Sequence, residues 1–281
     1  MATEFAFTEH YVARQEGGRV YCYQVGKGDP LVFLGAHSGR GFTRIADRFA
    51  QHFTCYILDT PGYDRSDIPR SWLATKSWTI SDCAEAVLEV LDNLAINQCS
   101  FVCGHTGAIV VLDIAANHPE RVKKLVMDSL PFWSKEQGKV VWEKFFKPQY
   151  TDTTSYDMPV APLLPPWDKV RQNEPDLTWD EWKIRDELNR RDRRWHPVHR
   201  EAATQVDTAV LGSRVKAPTL LIYGERDSLR RGEQRAHEAI GGSILKIIPD
   251  SPKAGMPTGG SYRFKPEEFT RLTLDFLLEG N

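Results

Sequence analysis

Short apolar runs alternate with helical patterns through the first 130 residues. Four runs have the length and composition of buried strands: residues 19–25, 31–34, 54–58 and 100–103. Between them, apolar residues recur at helical spacing, first Ile45, Phe49 and Phe53 and then Ile80, Val87, Leu91 and Leu94. A small-residue turn and an apolar helix to about His118 follow the fourth run, and a further strand follows at 124–128. This alternation predicts an α/β fold with a mostly parallel sheet flanked by helices.

The pattern changes between residues 131 and 214. Prolines, dense charge and six tryptophans replace the strand-like runs there, which predicts a helical insertion without a clear strand. Strand patterns return at 217–224 and 244–248, and a final helix is predicted from Pro266. We therefore expect a core built from residues 1–130 and 215–281, interrupted after the sixth strand by a lid at 131–214.

Composition and charge narrow the class of partner. The chain has 281 residues, of which 41% are hydrophobic, and a formal net charge of −2, so it has no overall positive charge to attract nucleic acid or an anionic membrane. Neither a signal peptide nor an 18-residue apolar stretch is found, which predicts a cytoplasmic protein. The five cysteines have no metal-ligand spacing and are expected to be reduced core residues. A small-molecule substrate, without cofactor or metal, is the expected partner, and oligomeric state stays open.

Six segments resemble the α/β-hydrolase superfamily in family order. They are LVFLGAHSGR, YILDTPGYDRSD, FVCGHTGAIV, HPERVKKLVMDS, APTLLIYGERD and KPEEFTRLTLDFL. The resemblance covers roughly residues 18–130 and 215–279 and points to the lidded, AB hydrolase-1-like branch. It implies the α/β-hydrolase fold and a site at the carboxyl ends of the strands.

The resemblance also locates a nucleophile elbow, the strand-to-helix turn G-x-Nuc-x-G. Aligned on Gly104, the motif places Thr106 where the family has serine, and Ala108 replaces the last glycine. Elbow nucleophiles adopt a positive φ that is most strained for a β-branched residue. Three roles for Thr106 stay open: a residue of a vestigial turn, a hydroxyl that orients a ligand, and a nucleophile.

Of the other two members of a Ser-His-Asp triad, the sequence supplies the acid but not the histidine. Asp227 follows the strand at 217–224, where the family carries its acid. The family's histidine position falls on Gly259 or Gly260 in one alignment and on Met256 in another, and no histidine follows His237. Without an imidazole, a hydroxyl is not usefully deprotonated at neutral pH, so the resemblance implies a degenerate triad.

Other side chains are candidates for the missing chemistry. His37 replaces the family's backbone-donor residue in the oxyanion loop and is the best candidate for a relocated acid or base, although a bond to backbone would also explain it. Substrate-binding candidates are Ala36, His105, Gly107, Asp128 and Trp133. Lid histidines His196 and His199 are too few for a metal site. The lid tryptophans favour an apolar or aromatic ligand.

Three functions are consistent with this pattern. The preferred hypothesis is a non-hydrolytic enzyme of small-molecule metabolism, such as a lyase, cyclase or isomerase, which needs positioned polar groups more than a charged nucleophile. The second is a hydrolase in which His37 or a lid histidine activates Thr106 or a water molecule. The third is a small-molecule-binding protein without catalysis.

Overall fold

The computed structural model describes residues 5–150, 152–153, 159–160, 163–175, 177–249 and 260–279. Its main feature is an eight-stranded sheet in the order β1-β2-β4-β3-β5-β6-β9-β10. The strands are β1 Phe7–Ala13, β2 Arg19–Gly26, β3 Asp29–Leu34, β4 Phe53–Leu58, β5 Cys99–Gly104, β6 Val122–Asp128, β9 Thr219–Gly224 and β10 Ile244–Ile248. Strand β2 is antiparallel to its neighbours β1 and β4, and the other neighbours are parallel. The predicted α/β-hydrolase fold is confirmed.

Helices cover both faces of this sheet. They are α1 Arg40–Phe49, α2 Arg70–Thr75, α3 Ile80–Asn93, α4 Thr106–Asn117, α5 Lys135–Val141, α6 Trp167–Asn173, α7 Trp179–Asp192, α8 Trp195–Thr204, α9 Thr208–Gly212, α10 Glu233–Ala239, α11 Ser261–Phe264 and α12 Pro266–Leu278. Side chains alternate between the two layers, so that Val32 and Leu34 pack with α3 and α4 while Phe33 packs with α1 and α12. None of the described helices is long and apolar enough to cross a membrane.

Two elements differ from the sequence prediction. Strand β1 was not predicted, because it is an edge strand in which only Val12 is buried. Phe53 begins β4 and does not continue α1, which ends at Phe49. All five cysteines are buried and free, as predicted.

The segment between β6 and β9 carries helices α5 to α9 above the sheet. It also contains a two-residue ribbon, β7 Asp152–Thr153 paired with β8 Pro159–Val160, where no strand had been expected. Trp195, at the start of α8, attaches this segment to the core, because its Nε1 donates to the Pro61 carbonyl at 3.0 Å. Gly62 has a φ of +85°, and a Cβ there would lie 2.2 Å from Trp195 Nε1, so the indole fills the space that a side chain would need. The position of α8 over the loop after β4 is thereby fixed.

Candidate active site

The strand-to-helix turn after β5 has its strained residue at His105. His105 has φ +53° and ψ −124°, whereas Thr106 is the first residue of α4 and has no positive φ. The sequence-based assignment of the elbow position to Thr106 is therefore wrong by one residue. Gly107 explains the register: a Cβ there would lie 2.3 Å from the Leu34 carbonyl oxygen, so only glycine fits two residues after the elbow. The motif spans residues 103–107, with His105 in place of the nucleophile.

A cavity of about 350 Å³ opens above this turn, between the carboxyl ends of the strands and the lid. The imidazoles of His37, His105 and His196 line it. Its aromatic walls are Tyr63 and Tyr262, and no tryptophan of the lid belongs to the described lining. Apolar side chains from the lid complete one side: Leu164, Ile184 and Leu188.

Three histidines cluster at one end of the cavity, of which His199 is buried and His37 and His196 are partly exposed. The ring of His37 lies 4.6 Å from those of Tyr63 and His196, and His199 lies 5.3 Å from Tyr63. Tyr150 Oη lies 3.3 Å from His196 Nδ1. Burial lowers the pKa of His37 and of His196 well below the usual value, and lowers that of His199 to about 3. These imidazoles are therefore neutral at pH 7. In the described part of the chain, no three His, Cys, Asp or Glu side chains are arranged to hold a metal ion.

His105 is partly exposed to the cavity. Its Nε2 is covered and has no hydrogen-bond partner among the described residues. Burial lowers the pKa of His105, and the negative charge of Asp227 opposes that shift. Asp227 is half-buried outside the described cavity lining, and its Oδ1 accepts from the Leu229 amide at 2.8 Å. The carboxylate therefore acts on His105 through its electric field, without a direct hydrogen bond.

Two backbone amides are available beside His105. Thr106 begins α4, so its N–H has no helical acceptor, and the His37 N–H donates to no described group. These are the positions from which the fold donates to a developing oxyanion. The Thr106 hydroxyl also forms no hydrogen bond within the described residues, although Thr106 lines the cavity with Ala36.

Asp128 lies beneath the cavity, outside its lining. Burial raises the pKa of this carboxyl to about 7, even though the Tyr262 amide donates to its Oδ2 at 3.3 Å. A Cβ at Gly260 would lie 2.0 Å from the same oxygen, so a histidine at this alternative triad position would have to displace the Asp128 carboxylate. The other two positions, Gly259 and Met256, lie outside the described residues.

The structure separates the remaining substrate-binding candidates from the cavity. Gly107 packs under the end of β3, and Trp133 is buried in the core, where its amide donates to Thr208 Oγ1 at 2.8 Å.

Three residues of the cavity lining were not predicted from the sequence: Tyr63, Tyr262 and Arg200. Tyr63 could have been found, because its loop follows β4 at the carboxyl edge of the sheet. Arg200 follows His196 by one helical turn, which places the two side chains on one face of α8.

Comparison with known proteins agrees with this architecture. A relative in Pseudomonas savastanoi pv. phaseolicola, named "Putative carbamate hydrolase RutD", is 26% identical over 260 residues, 88% of this chain and 93% of the relative. A pimeloyl-[acyl-carrier protein] methyl ester esterase of Nitrosospira multiformis is 32% identical over 117 residues, 39% of this chain and 41% of the esterase.

Among solved structures, a hydrolase from Pseudomonas aeruginosa PA01 superposes with a TM-score of 0.77 at 18% identity, covering 96% of this chain and 98% of the hydrolase, which supports the fold. The family model described as alpha/beta hydrolase fold matches residues 30–234, most of the chain. This protein therefore belongs to the α/β-hydrolase family.

Proposed function

We propose that this chain is a small-molecule hydrolase in which the His105 imidazole activates water as a general base. The observation that carries the proposal is the placement of an imidazole, at φ +53°, where the family presents its nucleophile. A neutral imidazole at that position is a base already next to the substrate, so no second histidine is needed to deprotonate a hydroxyl.

The proposed reaction needs only groups that lie around the turn. Water attacks the substrate carbonyl carbon while its proton passes to His105, and the proton then goes to the leaving group as the carbon–leaving-group bond breaks. The negative charge of Asp227 stabilises the imidazolium formed on the way. The free N–H groups of Thr106 and His37 donate hydrogen bonds to the carbonyl oxygen and stabilise the negative charge that develops on it. The names of the relatives suggest esters and carbamates as the first substrates to test.

In this scheme Thr106 and His37 have supporting roles. The Thr106 hydroxyl orients the substrate or the water, and its β-branched side chain at the start of α4 is not the attacking group. The His37 ring is enclosed by Tyr63 and His196 and stays neutral, so it acts as a hydrogen-bonding group.

A second candidate is the non-hydrolytic reaction that the sequence analysis favoured. A lyase, cyclase or isomerase would use His105 to remove a proton from carbon and the same amides to hold an enolate. The observation in its favour is that the elbow carries an imidazole, because a base at this position can remove a proton without forming a covalent intermediate with the substrate. The two candidates differ in one respect: only hydrolysis adds the oxygen of water to a product.

The test is turnover in H₂¹⁸O by the wild type and three variants. Purified protein is incubated with a panel of small esters and carbamates and with a metabolite extract, and products are identified by mass spectrometry. We expect ¹⁸O in one product, a rate roughly 10² to 10⁴ lower for His105→Gln, and a change of less than about tenfold for Thr106→Val. His237→Gln is the matched control, because His237 bonds Ser243 Oγ outside the described lining.

Each outcome decides between the candidates. Turnover without ¹⁸O incorporation but with loss in His105→Gln contradicts hydrolysis and supports the second candidate. Full activity in His105→Gln together with loss of activity in Thr106→Val contradicts both candidates and supports Thr106 as the nucleophile. A ligand that is bound and recovered unchanged, with no turnover of any compound, supports a binding protein.

A further inference from the structure

Arginines surround the cavity, and all but one contact a described carboxylate. Five line it: Arg40, Arg44, Arg185, Arg200 and Arg263. Arg40 pairs with Asp64, Arg44 pairs with Glu181, and Arg185 and Arg263 both contact Glu174, at 2.9 and 3.4 Å. Among the described residues, Arg200 has no acidic partner.

Carboxylates on the cavity wall are also compensated. Glu181 is held by Arg44, and Asp192 is paired with Arg191 at 2.7 Å. Neither is left to neutralise Arg200. Arg200 therefore adds to the cavity a positive charge that no described carboxylate pairs with.

The environment of Arg200 makes this charge available to a ligand. Its guanidinium carbon lies 4.5 Å from the centre of the Phe146 ring, so one face of the group is packed. The edges of a guanidinium stacked in this way still carry its N–H donors. Its charge is also a cause of the lowered pKa values of His37, His196, His199 and His105, which places it near all four imidazoles.

We propose that Arg200 binds a carboxylate of the substrate, so that the enzyme acts on small molecules with an acid at one end and an apolar body. One unpaired guanidinium matches a carboxylate monoanion in charge and in its two-pronged geometry. Leu164, Ile184 and Leu188 provide the apolar contacts for the rest of the molecule. This assignment rests on the proposed function, since it names the substrate class of the same cavity.

The experiment measures binding without chemistry. Titration calorimetry compares 3-phenylpropanoate with 3-phenylpropanamide, which has a similar shape but no charge. We expect the wild type to bind the acid roughly 10- to 100-fold more tightly than the amide. Arg200→Gln should lower affinity for the acid to that for the amide and leave amide binding unchanged. Arg200→Lys keeps the positive charge but loses the two-pronged hydrogen-bonding geometry of the guanidinium, so it should retain part of the preference for the acid over the amide.

Two further variants complete the design. Arg171→Gln removes the same charge from α6, outside the described cavity lining, and should keep the full preference for the acid. His105→Gln should keep the preference while losing turnover, so a failed hydrolysis proposal is distinguishable from a failed carboxylate proposal.

Equal affinities for acid and amide in the wild type would overturn the assignment. So would an unchanged preference in Arg200→Gln, or an acid that does not bind at millimolar concentration. If Arg200→Gln does not fold, the wild-type ratio and the partial loss in Arg200→Lys still decide.

Discussion

Glycine and alanine at the two adjacent positions, 105 and 106, should have opposite effects on stability. At φ +53° and ψ −124°, a residue with a Cβ is strained by about 1–3 kcal/mol, which glycine avoids. Glycine loses about 0.5–1 kcal/mol more backbone entropy than alanine on folding. His105→Gly should therefore be more stable than His105→Ala by about 1 kcal/mol at the middle of these ranges and by about 2.5 kcal/mol at most. Both variants delete the imidazole, so its lost contacts cancel in the comparison.

Thr106 provides the matched case. It begins α4 with ordinary helical backbone, so Thr106→Gly should be less stable than Thr106→Ala by up to about 1 kcal/mol. Urea unfolding of the four variants, analysed with a shared m value, measures both differences. Alanine equal to or better than glycine at position 105 would refute the placement of the elbow at His105. Because this comparison needs no substrate, it tests the site independently of its chemistry.

Three further measurements probe the buried groups around the cavity. Gly260→Ala should destabilise by about 1–3 kcal/mol, because its Cβ would displace the Asp128 carboxylate, whereas Gly241→Ala, with no atom within 4 Å of its Cβ, should be nearly neutral in urea unfolding. Burial raises the pKa of Asp128 to about 7 from an unperturbed 3.8, so the folded state binds this proton more tightly than the unfolded state does. The free energy of unfolding should therefore fall by about 1.4 kcal/mol per pH unit as pH rises from about 4 to 7. Unfolding free energies measured across that range should lose this contribution in Asp128→Asn. For His199 the sign is reversed, because burial lowers its pKa to about 3 from an unperturbed 6.5. The free energy of unfolding should fall by about 1.4 kcal/mol per pH unit as pH drops from 6.5 to 3. His199→Gln should abolish this contribution, and the surface substitution His52→Gln should leave it unchanged.

The sheet was predictable because most of its strands are buried on both faces. Strands β3, β5 and β9 are apolar over nearly their whole length, which gives a continuous signal in the sequence. Strand β1 gives no such signal, since six of its seven residues are at least partly exposed. Burial of the side chains, more than strand propensity, decided which strands could be predicted from the sequence.

The elbow was misplaced because two registers satisfy part of the same motif. Aligning on Gly104 supplies the first glycine and a hydroxyl at position 106, but leaves Ala108 at the last position. The alternative keeps Gly107 last and accepts Cys103 first. The two glycine positions are not equivalent: a Cβ at 107 would meet backbone oxygens at 2.3 and 2.4 Å, whereas Cys103 fits in β5. Giving the last glycine greater weight would have identified His105.

The position of His105 and a lid arginine on one cavity could not have been predicted from the sequence, because it depends on how α8 lies over the core. Trp195 fixes the start of that helix by its bond to Pro61 and by filling the space above Gly62. His196 and Arg200 then follow one turn apart on the cavity side. The proposed base comes from the most recognisable motif of the chain and the proposed anion site from its least recognisable segment. Substrate choice in this protein should therefore change with the lid while the reaction type stays with the turn at His105.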